Sequence, residues 1–153
     1  NLGRLVCYVE LVRAARVAAA ERAQIVPPGI AYPHAASANA GKCHFASNYH
    51  SMVATVQDLV GGLIVTAPGL EDIRDDVYGN MVDKYLGGRR GVSGRDRWPL
   101  IQLVRDMTAS SFGGYNDVVT LHGEGSPQTQ LIAALRNYDL DRAIALVKSA
   151  LAC

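Results

Sequence analysis

The sequence predicts an all-α fold, for three reasons. Apolar residues recur at helical spacing in several stretches, no stretch shows the alternation of a β-strand, and prolines and glycines separate the stretches. The chain has 153 residues, 49% of them hydrophobic and 19% charged. This composition permits a buried core and excludes a disordered tail or a coiled-coil rod. We expect one helical domain over residues 1–153.

The first predicted helix runs from Leu2 to Gln24 and is closed by Pro27-Pro28-Gly29, which cannot continue a helix. Its apolar residues form a stripe, Leu2, Leu5, Val9 and Val12. Its charged residues spread around more than half of the circumference, which is typical of a helix packed on several sides. We expect another subunit or a missing domain to cover part of it. Residues 25–46 contain three prolines and predict a long ordered loop.

The second predicted helix runs from Ser47 to Leu63 and has the clearest amphipathic pattern of the chain. Its apolar face consists of Tyr49, Met52, Val53, Val56, Val60 and Leu63. A short helical turn is expected at 71–73, followed by a third long helix from Val77 to Leu86.

The last third of the sequence predicts further helices. One begins near Gly94 to Asp96, with Pro99 in its first turn, and runs toward Ser111, where Gly113-Gly114 interrupt it; residues 115–121 continue as helix. Ser126 and Pro127 are a good N-cap and first residue for a helix that ends near Asn137. Asp139 is expected to cap a final helix whose inward-facing residues are Leu140, Ile144, Val147 and Leu151.

Charge and cysteine content exclude several classes of protein. Fifteen Lys and Arg against 14 Asp and Glu leave a net charge of +1, so there is no basic surface typical of nucleic-acid binding. No apolar run approaches the roughly twenty residues that span a bilayer. Three separated cysteines without a CxxC motif indicate reduced thiols in a cytoplasmic protein.

The first candidate site is Gln57 with the paired glycines Gly61 and Gly62. Gln57 and Gly61 are four residues apart and share one helix face. Glycine lets another backbone or a ligand approach closely, and the glutamine amide both donates and accepts hydrogen bonds. The alternative is close helix packing beside an exposed glutamine.

The second candidate site is the glycine-rich loop that starts at His122 and includes Gly125 and Ser126. A loop that leads into a helix N-terminus presents free N–H groups and the positive end of the helix dipole, which suits a phosphate or a carboxylate. His122 adds a hydrogen-bond donor or a proton carrier, whereas Glu124 opposes an anion unless it turns outward. The alternative is an ordinary loop with a Ser-Pro helix start.

A metal site is not predicted. His34, Cys43, His44 and His50 are near one another in sequence, but their spacing is not that of a standard ligand set. We expect a buried thiol and hydrogen-bonded histidines there. Nucleophilic catalysis has no support either, since there is no GxSxG motif.

Several segments together resemble the C-terminal helical domain of the 4-hydroxyphenylacetate 3-monooxygenase and 4-hydroxybutyryl-CoA dehydratase flavoenzyme family. They cover nearly the whole chain in the expected order. They are Asn48-Tyr49-His50, Val56-Gln57-Asp58-Leu59 with Gly61-Gly62 and Thr66, Lys84-Tyr85-Leu86, Ser111-Phe112-Gly113-Gly114-Tyr115, the HGEGSPQTQ segment of residues 122–130, and Asn137-Tyr138-Asp139.

This resemblance implies an antiparallel helical bundle similar to the C-terminal domain of acyl-CoA dehydrogenases. In that fold the bundle forms a tetramer core and contributes to the FAD site, often across a subunit boundary. Gln57, Gly61 and Gly62 fall where the related fold meets the FAD of a neighbouring subunit. We therefore expect His122, Gly125 and Ser126 to contribute to the cofactor site as well.

The family has two branches with different chemistry. One hydroxylates a phenol with reduced flavin and oxygen, and the other dehydrates a hydroxyacyl-CoA with FAD and an iron–sulfur cluster. The segment of residues 122–130 looks like the dehydratases, whereas Phe112-Gly113-Gly114 and Asn137-Tyr138-Asp139 look like the hydroxylases. Cluster ligands and most substrate contacts would lie in domains upstream of this chain.

We therefore expect the C-terminal part of a longer flavoenzyme, inactive alone, that supplies a homo-oligomer interface and part of the FAD and substrate pocket. The parent would act on a phenol or an acyl-CoA. The alternative is a helical oligomerisation module that binds no ligand.

Overall fold

The computed structural model describes residues 1–123 and 125–151. In chain order their elements are α1 (Leu2–Glu21), β1 (Gln24–Val26), β2 (Ile30–Tyr32), α2 (Ala35–Val60), α3 (Leu63–Thr66), α4 (Leu70–Arg74), α5 (Tyr78–Leu86), α6 (Gly94–Thr108), α7 (Ser111–Gly123), α8 (Pro127–Arg136) and α9 (Leu140–Leu151). The prediction of an all-α fold is confirmed.

The chain divides into two compact units. The first unit contains Asn1 and residues 49–123, and the second contains residues 2–48 and 124–153. The boundary between the units falls inside α2. Residues of α2 up to Asn48 belong to the second unit, and those from Tyr49 onward belong to the first. The expectation of a single domain over residues 1–153 stays a prediction.

The core of the first unit lies where α5 and α6 meet the segment after α2. Ile101 is 1% exposed and clusters with Ala67 and Leu86. The Trp98 indole Nε1 donates to the carbonyl of Pro68 at 2.7 Å, and the Gln102 amide donates to the same oxygen at 3.1 Å. These bonds fix the turn that precedes α4 against α6, because a carbonyl partly withdrawn from water needs its hydrogen bonds.

In the second unit α1 and the first half of α2 pack antiparallel. The Tyr8 hydroxyl donates to the Phe45 carbonyl at 2.9 Å, and the His34 backbone N–H donates to the Ala19 carbonyl at the opposite end of α1 at 2.9 Å. Between these points Gly41 faces Ala15 so closely that a Cβ at Gly41 would lie 2.7 Å from the Cβ of Ala15. Small residues therefore set the distance between the two helices.

The predicted loop over residues 25–46 is wrong in two respects. Residues 24–32 form an antiparallel hairpin in which Ile25 pairs with Ala31, and α2 begins at Ala35. Strands of three residues are too short to show a period of two in the sequence. The helix from Ala35 was missed because the prolines of this segment favour a loop. Within that helix, Gly41 permits close packing on α1.

Three predicted boundaries also differ. α1 ends at Glu21, earlier than Gln24, and α2 ends at Val60, earlier than Leu63. Gly113-Gly114 do not interrupt a helix: both lie inside α7, and the break falls at Ala109-Ser110, where the Ser110 hydroxyl accepts from the Gly113 N–H at 3.2 Å. Pro99 lies in the second turn of α6, not the first.

The predicted inward face of α9 is wrong for this chain. The Asp139 carboxylate caps α9 as expected, accepting from the Arg142 N–H at 2.9 Å. However, all four residues of the face are exposed, at 46%, 50%, 58% and 81% for Leu140, Ile144, Val147 and Leu151. The amphipathic pattern shows which face is apolar, but it cannot show what covers that face.

Candidate functional site

Gln57 connects the end of α2 to the end of α6. Its side chain is half-buried, and its Nε2 donates to the carbonyl of Thr108 at 3.1 Å. Thr108 is the last residue of α6, where backbone carbonyls have no partner within the helix. Gln57 therefore caps the C-terminus of α6. One N–H of the amide is committed to this contact, which leaves Oε1 as the acceptor that a ligand could use.

Gly61 and Gly62 end α2 on the surface of the first unit. The Gly61 N–H closes the last turn on the Gln57 carbonyl at 2.9 Å. Gly61 has φ +62°, a left-handed conformation that L side chains rarely adopt, so glycine is required for the turn itself. Gly62 has φ −57°, which any residue adopts.

The space in front of the two glycines is open. A Cβ added at Gly61 or at Gly62 would meet no atom within 4 Å. The alternative explanation of the paired glycines was close helix packing. Because no atom of this chain lies in front of Gly62, packing within the chain does not explain why this position has no side chain. Bare backbone on an exposed helix end lets a planar group or a second chain approach within contact distance.

A histidine and a carboxylate of the first unit lie close to each other. His50 precedes Gln57 by two helical turns on α2, and its Nδ1 lies 3.7 Å from Oδ1 of Asp117 on α7. Asp117 Oδ1 is buried and has no hydrogen-bond partner among the described residues. The pair attracts electrostatically when His50 is protonated. Sequence reasoning missed Asp117 because nothing in its local pattern connects it to α2.

The loop before α8 has the geometry of a helix N-terminus without a side-chain cap. Ser126 is the N-cap residue of α8, but its hydroxyl makes no capping hydrogen bond, and Pro127 has no N–H. Gly125 has φ +89°, which again requires glycine. His122, Gly125 and Ser126 are all exposed, and Glu124 lies outside the described residues.

Gln130 is a residue of this segment that the sequence did not single out. It is 4% exposed, and its Nε2 donates to the Gly125 carbonyl at 3.3 Å. A buried polar group needs its hydrogen bonds. The bond from the Gln130 amide therefore orients the backbone of the loop at Gly125.

The six predicted site residues fall into the two units. Gln57, Gly61, Gly62 and His122 belong to the first unit, and Gly125 and Ser126 belong to the second. The structure brings Gln57 together with Gly61 through the last turn of α2. Their role in binding a cofactor stays a prediction.

The contacts of His34 and His44 are of the kind that stabilise a fold. The His34 Nδ1 lies 2.8 Å from the Ser37 hydroxyl, and the ring of His44 lies 5.6 Å from that of Tyr8. Cys7 is exposed and Cys43 is half-buried, and both are unpaired thiols. Within residues 1–123 and 125–151, no three His, Cys, Asp or Glu side chains are grouped so that they could hold a metal ion.

Over the part of the chain that the structure describes, none of the helices has the length and apolarity to traverse a bilayer.

Comparisons with known proteins identify the family of this chain. The family model described as 4-hydroxyphenylacetate 3-hydroxylase C terminal matches residues 1–152. The pyoverdin chromophore biosynthetic protein PvcC of Pseudomonas aeruginosa is 28% identical over 128 residues, which are 83% of this chain and 25% of that protein. The 4-hydroxyphenylacetate 3-monooxygenase oxygenase component of the same organism is 27% identical over 89 residues, 58% of this chain and 17% of that protein.

Solved structures show the same fold. An oxygen-tolerant archaeal 4-hydroxybutyryl-CoA dehydratase from N. maritimus superimposes with a TM-score of 0.84 at 28% identity, over 97% of this chain and 30% of the dehydratase. The oxygenase component of 4-hydroxyphenylacetate 3-monooxygenase complexed with FAD gives a TM-score of 0.86 at 20% identity, over 97% of this chain and 31% of the oxygenase. These similarities confirm the predicted helical bundle.

Proposed function

Because this chain belongs to the 4-hydroxyphenylacetate 3-hydroxylase C-terminal family, we propose that it is the C-terminal helical domain of an FAD-dependent enzyme. The chain spans 30% of the dehydratase and 25% of PvcC. The activity of a whole enzyme therefore needs residues that this chain does not contain. In the complete enzyme the domain supplies one wall of the FAD and substrate pocket and part of a homo-oligomer interface, in a tetramer.

The observation that carries the proposal is the open, side-chain-free end of α2. Gly62 has an unstrained backbone and empty space before it, so the fold of this chain alone gives no reason to exclude a side chain there. A flat ring or a neighbouring subunit that lies directly on this backbone would exclude a side chain at Gly62. Gln57 supports it, since its Oε1 can accept a hydrogen bond while Nε2 remains bound to Thr108.

The loop before α8 suits a phosphate or carboxylate group of a cofactor. The first turn of α8 has backbone N–H groups that Ser126 leaves uncapped, at the positive end of the helix dipole. His122 adds a ring N–H. When it is bound, FAD supplies the redox chemistry, and the role of this chain is to hold the cofactor and exclude water.

Two substrate classes are consistent with the proposal. A phenol would be hydroxylated, as the name of 4-hydroxyphenylacetate 3-monooxygenase implies, or a hydroxyacyl-CoA would be dehydrated, as for the archaeal neighbour. Only the second branch would need an iron–sulfur cluster, with ligands outside this chain. The unpaired thiols Cys7 and Cys43 support a reducing compartment such as the cytoplasm.

The decisive variant is Gly62→Leu in the full-length enzyme. We expect the flavin content after purification to fall at least about tenfold, because a leucine side chain would occupy the space that the cofactor or the adjoining subunit needs. In the 153-residue chain the same substitution should leave the melting temperature within a few degrees, because the chain places no atom there.

Two further measurements separate cofactor binding from misfolding. Gly62→Ala adds a smaller side chain, and we expect an intermediate flavin content. The isolated chain should bind FAD weakly and turn over no substrate. Full flavin content in Gly62→Leu, or tight FAD binding with turnover by the isolated chain, would contradict the proposal.

A ligand-free oligomerisation module is the second candidate. The observation that favours it is the large exposed apolar area, for example on α9. It predicts that Gln57→Ala and His122→Ala in the parent protein leave both flavin content and activity unchanged. Under our proposal both variants lower flavin content, while the oligomer stays intact by sedimentation.

A further inference from the structure

We propose that a cavity in the second unit binds an organic oxyanion, a carboxylate or a phosphate, that carries an apolar tail. The cavity has a volume of about 780 Å³, within the range of roughly 300–1,000 Å³ that is usual for ligand sites. None of the six predicted site residues lines it, so this inference goes beyond the proposed function. Its walls are the end of α1, the first turns of α2, the α8–α9 connection and α9.

Hydrogen-bond donors from different elements converge on this cavity. Arg22 follows α1, His34 precedes α2, Tyr138 lies between α8 and α9, and Arg142 lies in the first turn of α9. In the described part of the chain, neither guanidinium group takes part in an ion pair. Two guanidinium groups against the single carboxylate of Asp139 leave the lining with an excess of positive charge. Arginine forks suit carboxylate and phosphate oxygens in particular.

Two of the polar groups are already oriented by the fold. The Nδ1 of His34 accepts a hydrogen bond from the Ser37 backbone N–H at 3.3 Å and so caps α2. This assigns the proton to Nε2, which can then donate to a ligand. The Asp139 carboxylate accepts from the Arg142 N–H at 2.9 Å. It is therefore held at the N-terminus of α9, where negative charge is stabilised.

Besides the polar Ser37 and Asn137, the rest of the lining is apolar. Leu146 and Val147 line it from α9, one turn beyond Arg142, and are 72% and 58% exposed. Ala36 and Ala40 line it from α2. A tail bound along these side chains would remove apolar surface from water, while the oxyanion group remains near the arginines. A purely inorganic anion would use only one end of the cavity.

The test is calorimetric titration of the 153-residue chain with octanoate and with octyl phosphate. We expect saturable binding of at least one of them at one site per chain, and the tighter probe identifies the preferred head group. Arg142→Gln and Arg22→Gln should each weaken binding at least about tenfold, because each removes a charge-assisted hydrogen bond. The matched control is Arg136→Gln on α8, an exposed arginine outside the cavity that should leave binding unchanged.

Neutral 1-octanol distinguishes oxyanion recognition from simple apolar binding. It should bind at least about tenfold more weakly than the preferred anionic probe. Equal affinity for octanol, no saturable binding of either anion, or unchanged affinity in both arginine variants would overturn the proposal. Circular dichroism verifies that each variant folds, and if Arg142→Gln lost helicity, Arg22→Gln would decide. The readout involves no flavin, so failure here leaves the Gly62 experiment unaffected.

Discussion

The glycines of this chain have different roles, because different atoms lie near the position that a side chain would occupy. Gly62 faces open space, whereas a Cβ at Gly94 would lie 2.4 Å from the Val82 carbonyl oxygen. Gly94 therefore lets the start of α6 lie against the backbone of α5. The sequence indicates that a glycine is present, but the atoms that its missing side chain would meet come from distant elements. Sequence reasoning could thus select Gly61-Gly62 and could not distinguish an open glycine from a crowded one.

The adjacent glycines of α7 give a direct test of this distinction. A Cβ at Gly113 would lie 2.9 Å from the Met107 carbonyl, whereas a Cβ at Gly114 would meet nothing within 4 Å. We expect Gly113→Ala to lower the free energy of unfolding by about 1–3 kcal/mol through overpacking. Gly114→Ala should raise it by up to about 1 kcal/mol, since alanine is the better helix former. Denaturant unfolding of the chain measures both.

The two variants make the same substitution, glycine to alanine, at adjacent positions of the same helix. Helix propensity alone predicts that both are stabilising. Equal effects at the two positions would therefore contradict the close contact between Gly113 and the end of α6.

At the scale of elements, the sequence predicted best where a local signal determines the boundary. Ser126 and Pro127 begin α8 as expected, and Asp139 caps α9. The three-residue strands of the hairpin were missed because pairing, not local alternation, defines them. The inward face of α9 was wrong because burial depends on what packs against a helix, and a hydrophobic pattern contains no information about that.

The capping box at the start of α6 makes a prediction about pH. The Ser93 hydroxyl accepts from the Asp96 N–H at 3.0 Å, and Asp96 Oδ2 accepts from the Ser93 hydroxyl at 2.7 Å and from its N–H at 3.1 Å. The two hydrogen bonds that Asp96 Oδ2 accepts from Ser93 lower the pKa of Asp96 below its ordinary value. The bond from the Ser93 hydroxyl has the larger effect, and the bond from its N–H the smaller. The ionised carboxylate therefore stabilises the folded chain.

The sign of the pH dependence follows from this lowered pKa. The stabilisation is fully present above the unfolded-state pKa of about 3.9 and is lost as the pH falls through the lower folded-state pKa. We expect Asp96→Asn to melt at a lower temperature than the native chain at pH 7, with the difference shrinking below about pH 4. Thermal melts at pH 7, 4 and 2.5 measure it.

Asp106 is the matched control in the same helix. It carries the same charge near the C-terminus of α6, where negative charge opposes the helix dipole. Asp106→Asn should be neutral or stabilising at pH 7. A melting temperature lowered equally by both substitutions would show that charge alone, and not the cap, is responsible.

At the scale of the whole molecule, both units expose large apolar side chains. In the first unit Val65 is 81% and Tyr85 75% exposed, and in the second unit Leu2 is 69% and Leu151 81% exposed. Isolated exposed apolar residues are common in monomers, but such residues on most helices mark surfaces that are covered in an assembly. The sequence indicated this for α1 alone, through its scattered charges. The proposed oligomer and the domains of the longer relatives would both provide the cover.

This exposure predicts that the isolated chain associates with itself. At micromolar concentration we expect sedimentation velocity to show species larger than a monomer, and an environment-sensitive dye to bind the chain. Val65→Gln combined with Tyr85→Gln should reduce both signals while changing the free energy of unfolding by no more than about 0.5 kcal/mol per site, as is usual for surface positions. Ile101→Ala, at a core position that is 1% exposed, should instead cost about 2–5 kcal/mol. A strictly monomeric chain that binds no dye would mean that these apolar side chains need no partner, and the proposed interface would then have no support.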